Sequence, residues 1–385
     1  MAASEDRLDT APLFSPFSLK GLKLRNRFIV PSMQRFPCVE GVPSAELAEN
    51  YRRLIQGGFA MVMSESCAID HPSASRKTTV TRMLPSTQSA WRDCIQGVNE
   101  AGGELMVQLW HEGAMRKDGG RPSPYDDAPT ISPSGLVNRD APRGRMMSLA
   151  DMVQVKKAYV RSALLAQDAG AAGVEIHAAH GFLLDQFLWP ATNLRTDGYG
   201  GDPHRRVRFP AEVVHAIREA VGPRFVVSLR FSQWKEVDYE TGQIVHSPDE
   251  LKSILLPLRD AGVDMFHAST RRFHRPEWAD NTLGLAGWAR NVTGCPVITV
   301  GGVGILGSGV RNEIRDYGPD EVGEATLGSL SELLKRFGAG EFDLVAVGRA
   351  GIGDPDWVAK VAAGRFDEIR PINRSQLLAL RERII

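Results

Sequence analysis

Cysteine is scarce in this chain of 385 residues, and its four cysteines, Cys38, Cys67, Cys94 and Cys295, lie far apart. None belongs to a C-x-x-C pair, so the sequence offers no ligand set for an iron–sulfur cluster or a zinc ribbon. The same wide spacing argues against a disulfide framework and is typical of proteins from a reducing compartment.

Neither sign of charge is in excess, since 46 Lys and Arg residues face 46 Asp and Glu residues. We therefore expect no nucleic acid or membrane partner, and instead a small-molecule partner. The sequence also lacks an apolar run of about 18 residues, which a membrane-spanning helix needs. The first nine residues are polar and have no apolar core, so we expect no signal peptide and a cytoplasmic location. A homo-oligomer remains open.

Eight apolar runs in the sequence have the length and composition of buried β-strands. Several are apolar at successive positions, as strands covered on both faces must be. The runs are residues 27–33, 59–64, 104–110, 173–177, 225–230, 264–268, 297–300 and 343–347.

Helical patterns follow most of these runs, and several end in glycine, which accepts the left-handed conformation that closes a helix. The patterns are residues 44–56, 87–101, 149–169, 210–220, 248–261 and 329–337. Eight strands that alternate with helices predict an α/β fold, a (β/α)8 TIM barrel, with a doubly wound sheet as the alternative. No linker-like composition divides the chain, so we expect one domain over residues 1–385.

One long segment, residues 112–147, has neither a helical nor a strand period and is rich in Pro, Gly, Asp and Arg. Structureless connections above about 12–15 residues are uncommon and are usually functional. The segment follows the third strand, on the barrel face where active sites lie. We expect it to cap the site, and a disordered insertion is the alternative.

Polar side chains gather at the carboxyl ends of the predicted strands, where such barrels build active sites. Gln108 ends the third strand, the His177–His180 pair ends the fourth, and Arg230 ends the fifth. Glycines and one arginine follow the seventh and eighth strands, at Gly301, Gly302, Gly348 and Arg349. Because main-chain N–H groups in such loops bind phosphate, the layout predicts a phosphate-bearing cofactor. The histidine pair has no third ligand, so we predict no metal.

The most specific feature of the sequence is the block HAAHGFLLDQFLWPATNLRTDGYGG, which begins at His177 and ends at Gly201. Shorter blocks at residues 108–111 and 297–302 support it. Together they resemble the Old Yellow Enzyme family of FMN-dependent alkene reductases, over about residues 13–371. Larger members of that family add a cluster-binding and a nucleotide-binding domain. Because the chain lacks clustered cysteines, we expect the short single-domain form.

The resemblance implies FMN across the barrel mouth and NADPH or NADH as the hydride donor. It implies that Gln108 hydrogen-bonds the pyrimidine edge of the flavin and that Arg230 places positive charge near N1. The implied FMN contacts are Ser32, Met33, Gln34, Ser66, Gln108, Arg230, Gly301, Gly302, Gly348 and Arg349. His177 and His180 would bind the carbonyl oxygen of an α,β-unsaturated substrate or a similarly activated alkene, whose β-carbon accepts hydride from flavin N5.

Phe182 departs from the family pattern, because relatives usually carry a tyrosine there that gives the substrate α-carbon its proton. We expect an ene-reductase in which water or another side chain, with Tyr125 of the cap as a candidate, replaces that donor. Slower proton transfer is one alternative, and isomerase or dehydrogenase chemistry on a related substrate is another. A non-catalytic flavin-binding protein is the last, and the intact His177–His180 pair argues against it.

Two further features bear on the site. Gln34 stands where relatives carry threonine or cysteine, near the flavin edge, where an amide would hydrogen-bond flavin O4. Arg271 and Arg272 follow the sixth strand within a basic run. They form either a clamp for the 2′-phosphate of NADPH or an anionic substrate, or a solvated loop.

Overall fold

Eight parallel strands close into a barrel in this computed structural model, which describes residues 8–117, 122–279, 281–305 and 319–373 together with residue 376. The predicted (β/α)8 barrel is thereby confirmed, and the doubly wound alternative is wrong. The strands are β1 Phe28–Val30, β2 Met61–Ala68, β3 Glu104–Trp110, β4 Gly173–His180, β5 Val226–Lys235, β6 Met265–Ser269, β7 Val297–Val300 and β8 Leu344–Ala346.

All eight predicted strand runs correspond to strands, and the largest differences lie at the site. β4 continues to His180 and β5 to Lys235, beyond their predicted ends. The two strands stay paired across an irregularity after Ala178, which the sequence pattern does not reveal. By contrast, β1 ends at Val30, whereas the predicted run continues to residue 33.

The strand register places polar side chains opposite one another in the upper barrel. Glu175 on β4 lies opposite Gln108 on β3. His177 lies opposite Arg230 on β5, and Arg230 lies opposite His267 on β6. Because parallel strands end at the same rim, this register gathers the polar side chains at the carboxyl-terminal end of the barrel.

A helix follows each strand on the outside of the barrel. The helices are α1 Ala45–Gln56, α2 Gln88–Glu100, α3 Leu149–Asp168, α4 Arg208–Val221, α5 Pro248–Asp260, α6 Leu285–Thr293, α7 Pro319–Gly338 and α8 Trp357–Ala363. Three shorter helices are Leu183–Leu188, Pro203–Arg206 and Arg349–Gly353. The prediction missed α6 and α8, which are short, and began α7 at residue 329 because glycines and polar residues obscure its first turns.

Serine side chains cap the first turns of several helices. Ser44 Oγ accepts a hydrogen bond from the Leu47 N–H at 3.2 Å, which begins α1. Ser148 and Asp151 cap each other's main chain at the start of α3. Such caps satisfy N–H groups that have no partner within the helix, so they fix where each helix begins.

Two apolar layers hold the barrel together. One lies between the strands and the helices. The other fills the lower barrel and includes Met61, Met106 and Met265. A hairpin formed by Phe17–Leu19 and Leu22–Leu24 packs against this inner layer. The apolar packing therefore occupies the amino-terminal half of the barrel, and the carboxyl-terminal half is left to polar side chains.

The predicted cap, residues 112–147, is described except for residues 118–121. The segment shows no period in its sequence, yet it contains four strands of two or three residues, which are too short to produce one. The pairs are Ile131–Ser132 with Arg145–Met146 and Leu136–Asn138 with Ala141–Pro142. Gln186 Oε1 accepts the Ala114 N–H at 3.0 Å, so the segment is joined to the helix that follows β4.

Candidate functional site

Five buried polar side chains from four neighbouring strands meet inside the upper barrel. Gln108 comes from β3, Glu175 and His177 from β4, Arg230 from β5 and His267 from β6. The structure thus brings together three residues that the sequence analysis selected and two that it missed. A group of charges buried at this depth requires specific partners.

Gln108 is the centre of a hydrogen-bond network that joins the first four strands. Its Oε1 accepts from Ser32 Oγ at 2.8 Å and from Ser66 Oγ at 2.9 Å. Its Nε2 donates to Glu175 Oε1 at 2.7 Å. Both lone pairs of the amide oxygen are therefore used, and one amide N–H remains. Gln108 can therefore offer a flavin one N–H donor, whereas its oxygen is already hydrogen-bonded to the two serines.

Glu175 and His267 form a completely buried pair, with 2.6 Å between His267 Nδ1 and Glu175 Oε2. Burial lowers the pKa of His267, so its neutral ring donates the Nδ1 hydrogen. Burial by itself would raise the pKa of Glu175, but the hydrogen bonds from His267 and Gln108 and the nearby Arg230 cation outweigh it and hold that pKa below its ordinary value. A carboxylate anion therefore lies under the barrel mouth.

Arg230 is the cation that faces this anion. Its Nη atoms donate to the Ser32 carbonyl at 3.3 Å and to Ser269 Oγ at 3.2 Å. Its Nε is buried and has no acceptor among the described residues. Since buried donors normally have partners, the orphaned Nε–H suits a bound group rich in acceptor atoms, such as the pyrimidine edge of a flavin.

His177 and His180 lie at the end of β4, with ring centroids 5.1 Å apart. His180 has a φ of +65°, a conformation that residues other than glycine rarely adopt and that is common at functional sites. Its ring stacks on Trp234 at 4.2 Å, and its Nε2 lies 2.8 Å from Ser269 Oγ. The Ala179 N–H donates to His177 Nδ1 at 3.3 Å.

Both histidines are neutral at pH 7. Burial, with the nearby Arg230 cation, lowers the pKa of His177 to about 3 and that of His180 well below its ordinary value. Because His177 Nδ1 accepts a hydrogen bond, the ring hydrogen of His177 is on Nε2. A neutral pair of this kind can donate hydrogen bonds to one oxygen without adding charge.

A buried ion pair fixes the turn that carries His180. Lys235 Nζ lies 2.8 Å from Asp185 Oδ1, and both side chains are completely buried. The other Asp185 oxygen accepts the Gly181 N–H at 2.6 Å. Ser232 Oγ accepts the N–H of His180 at 2.9 Å, and its carbonyl accepts from Lys235 at 3.1 Å. The end of β5 therefore holds the end of β4 in place, a role the sequence analysis did not foresee.

Phe182 lies beside the histidine pair and has no hydroxyl. Its ring meets His177 edge-on at 5.0 Å and Trp110 edge-on at 5.3 Å. The ring of Tyr125, the candidate replacement donor, packs against Arg82, whose guanidinium carbon lies 3.6 Å from the ring centroid.

Glycines bring the main chain close together on the β7–β8 side of the mouth. A Cβ at Gly301 would lie 2.5 Å from the Thr270 carbonyl, and the φ of Gly302 is +79°. A Cβ at Gly348 would lie 3.1 Å from Met33 Sδ. The close approach of bare main chain suits a phosphate group, and it places Met33 at the same edge.

Arg349 and Gln34 are the remaining predicted cofactor contacts. Arg349 is half-buried and opens the short helix after β8. Gln34 is half-buried after β1, and within the described residues no hydrogen bond holds its amide. The Oε1 of Glu65 accepts from the N–H groups of Arg35 and Phe36 at 2.8 and 3.0 Å, so it fixes the loop that carries Gln34.

A cavity of about 190 Å³ opens between the segments that follow β5 and β6. Its wall contains Arg272 and the stacked rings of Trp234 and Tyr239, whose centroids are 5.4 Å apart. The guanidinium of Arg271 lies 5.5 Å from the first ring and 5.2 Å from the second. Because Trp234 also stacks on His180, the cavity adjoins the histidine pair.

Glu175 and His267 are the main site residues that the sequence analysis missed. Each lies in a run otherwise read as an apolar strand, where a charged residue is unusual. Glu175 is two positions before His177, and alternate residues of a strand share one face. A systematic search of alternate positions would therefore have found Glu175, whereas its pairing with His267 depends on the closure of the barrel.

Comparison with known proteins identifies a family match over most of the chain. The family model for FMN oxidoreductases, described as the NADH:flavin oxidoreductase / NADH oxidase family, matches residues 12–304. An NADH oxidase of Thermoanaerobacter brockii is 30% identical over 368 residues, which are 93% of this chain and 52% of the relative. The 12-oxophytodienoate reductase 7 of Oryza sativa subsp. japonica is 33% identical over 231 residues, 57% of this chain and 58% of the relative. The chain thus spans about half the length of these curated relatives.

Solved structures share the fold at lower identity. An old yellow enzyme homologue from Zymomonas mobilis has a TM-score of 0.73 and 22% identity, and 96% of each chain is covered. Morphinone reductase in complex with tetrahydroNAD has a TM-score of 0.74 and 24% identity, with 94% of this chain and 93% of that chain covered. At these identities the similarity supports the barrel fold.

Proposed function

The chain belongs to the NADH:flavin oxidoreductase / NADH oxidase family, and on that premise we propose that it is an ene-reductase for activated C=C bonds. One observation carries the proposal: two neutral histidines, His177 and His180, lie at the barrel mouth with ring centroids 5.1 Å apart, near the buried cation of Arg230. The proposed substrates are small α,β-unsaturated ketones and aldehydes, because their carbonyl oxygen accepts hydrogen bonds and activates the conjugated double bond.

FMN is the cofactor of the family, and the residues at the mouth fit it. Arg230 Nε and the remaining N–H of Gln108 supply donors for its pyrimidine edge. Gly301, Gly302 and Gly348 offer bare main chain for its phosphate. Once reduced by NADH or NADPH, bound FMN supplies the hydride that the alkene accepts.

His177 and His180 hold the substrate carbonyl in this proposal. His177 donates from Nε2, since its Nδ1 already accepts the Ala179 N–H. Arg230 only donates, so Ser269 Oγ accepts from it, and in this proposal the Ser269 hydroxyl gives its own hydrogen to His180 Nε2. His180 then carries its ring hydrogen on Nδ1. Two hydrogen bonds to the carbonyl oxygen draw electrons from the β-carbon and stabilise the charge that develops.

Water supplies the proton to the α-carbon in this proposal, because Phe182 has none to give and Tyr125 lies against Arg82. A general acid contributes about 10²–10⁴-fold, so reduction without one is slower but feasible. The same absence favours the second candidate, an isomerase, in which the substrate returns its hydride before it is protonated.

The cavity beside Trp234 is the proposed site for the 2′-phosphate of NADPH or for an anionic group of the substrate. Arg271 is held against Trp234 and Tyr239, and Arg272 lines the same cavity. Arginine at such a place can bind phosphate or carboxylate with two parallel hydrogen bonds. We also propose a cytoplasmic location. None of the described helices is long and apolar enough to cross a membrane.

The purified chain tests the function directly. We expect it to bind about one FMN per chain, measured by absorbance, and to be reduced by NADH or NADPH without oxygen. Mixing with 2-cyclohexen-1-one should then yield the saturated ketone and oxidised flavin. A Z-configured acyclic enone that is returned as its E isomer, with flavin still reduced, would identify the isomerase, because its Cα–Cβ bond can rotate before the hydride is returned. A protein that stays colourless after incubation with FMN would overturn the proposal.

A further inference from the structure

We propose that Glu175 is a positioning residue that fixes the orientation of the Gln108 amide toward the cofactor. This inference rests on the proposed function, because the cofactor is the FMN of that site. It assigns a role to a buried carboxylate that the hydride and proton transfers do not use. His267 contributes to this positioning, since it hydrogen-bonds the second oxygen of Glu175.

The hydrogen-bond inventory of Gln108 shows why an anion is needed. Its oxygen lies 2.8 Å from Ser32 Oγ and 2.9 Å from Ser66 Oγ, and its nitrogen lies 2.7 Å from Glu175 Oε1. A serine hydroxyl both donates and accepts, so the two serines would tolerate either orientation of the amide. An ionised carboxylate only accepts. It therefore excludes the flipped amide, which would direct an oxygen at it.

The groups around Glu175 keep it ionised and immobile. Gln108 and His267 each donate to one of its oxygens, and all three side chains are completely buried. The nearby cation is Arg230, which lies on the neighbouring strand β5, opposite His177. Because His267 is neutral and donates, it orients the carboxylate without cancelling its charge.

The consequence is chemical. With its oxygen occupied by Ser32 and Ser66, Gln108 has one N–H and no acceptor left to offer. A flipped amide would offer a carbonyl oxygen instead. The pyrimidine edge of a flavin carries carbonyl oxygens that need donors, so only the orientation set by Glu175 supplies Gln108 as a donor.

The experiment measures the dissociation constant of FMN by fluorescence quenching in the full chain stripped of flavin. Glu175→Gln preserves shape and removes the charge that selects the amide orientation. We expect it to weaken FMN binding about 3- to 10-fold, the size of one net hydrogen bond. In a Gln108→Met background the same substitution should cause no further weakening, because there is no amide to orient.

Glu112→Gln is the matched control, since Glu112 is also a buried carboxylate but pairs with Lys77; it should leave FMN affinity unchanged. If Glu175→Gln does not fold, His267→Leu tests the same inference, because it removes the hydrogen bond that holds Glu175. We expect His267→Leu to weaken FMN binding and His267→Asn, which keeps a donor, to bind FMN as tightly as the unaltered chain. Equal weakening by Glu175→Gln with and without Gln108, or none at all, would overturn the inference. Failure of the unaltered chain to bind FMN would overturn the proposed function instead.

Discussion

Phe182 has the largest chemical consequence of any single residue at the mouth, because it stands where the family resemblance implies a proton donor. Its ring touches His177 edge-on at 5.0 Å. We predict that Phe182→Tyr speeds the reoxidation of reduced flavin by an enone about 10²-fold, the lower end of the contribution of a general acid. Anaerobic stopped-flow absorbance measures this rate.

Phe182→Leu is the control for a change of packing, because it alters the contact with His177 without adding a hydroxyl. It should not accelerate reoxidation. If Phe182→Tyr also leaves the rate unchanged, proton transfer is not the slow step and another donor is already adequate.

The turn between β4 and its short helix depends on one buried charge pair. Asp185→Asn keeps the acceptor for the Gly181 N–H but leaves the Lys235 ammonium without an opposite charge. We predict a loss of about 3–5 kcal/mol in the free energy of unfolding, measured by urea denaturation, since an unpaired buried charge is costly.

The double variant Asp185→Asn with Lys235→Met separates charge from packing. It should lose less stability than Asp185→Asn alone, because no uncompensated ammonium remains. Equal stability of the single variant and the unaltered chain would contradict the prediction and indicate that Lys235 sheds its proton at no cost.

The barrel strands were easier to predict from the sequence than the short helices and the strands of the cap. All eight strand runs follow from continuous apolar stretches, whereas α6 and α8, with 9 and 7 residues, are too short for a clear helical period. The strands of the cap have two or three residues, so their pairing depends on neighbours rather than on local pattern.

Buried histidines make the whole molecule sensitive to acid. Burial lowers the pKa values of His111, His177, His180 and His267, that of His177 to about 3. The unfolded chain, with histidine pKa near 6.5, then binds more protons than the folded chain as pH falls below about 6.5. Protonation of these histidines therefore favours the unfolded chain, and the free energy of unfolding falls as the pH falls below about 6.5.

Asp185 acts in the opposite direction, because burial raises its pKa to about 6, so its contribution is lost as pH rises through that value. Glu104, Glu112 and Glu277 also have raised pKa values and act like Asp185, whereas carboxylates with lowered pKa values, such as Asp151 and Asp356, lose stability in acid as the histidines do. We therefore predict that urea denaturation of the FMN-loaded protein gives a lower free energy of unfolding at pH 5 than at pH 7.5. A value that is equal or higher at pH 5 would contradict the assignment of neutral buried histidines.

Most residues of the candidate site were predictable from the sequence, but Glu175, His267 and the hydrogen bonds between the site residues were not. Gln108, His177, His180 and Arg230 were found because they end apolar strands, which in a barrel places them at one rim. Their hydrogen-bond partners depend on contacts between residues that lie far apart in the sequence. The single domain over residues 1–385 and the roles of the individual site residues stay predictions.

By itself, the sequence determined the barrel and the end of it that carries chemistry, because strand runs and the residues that end them are local properties. Only the tertiary structure decided that Gln108 meets Glu175, 67 residues away, and that Glu175 meets His267, 92 residues away. It also decided that Lys235 anchors the turn at His180. The physical reason is that a buried hydrogen bond requires a partner at a specific position in space, and barrel closure alone supplies that position.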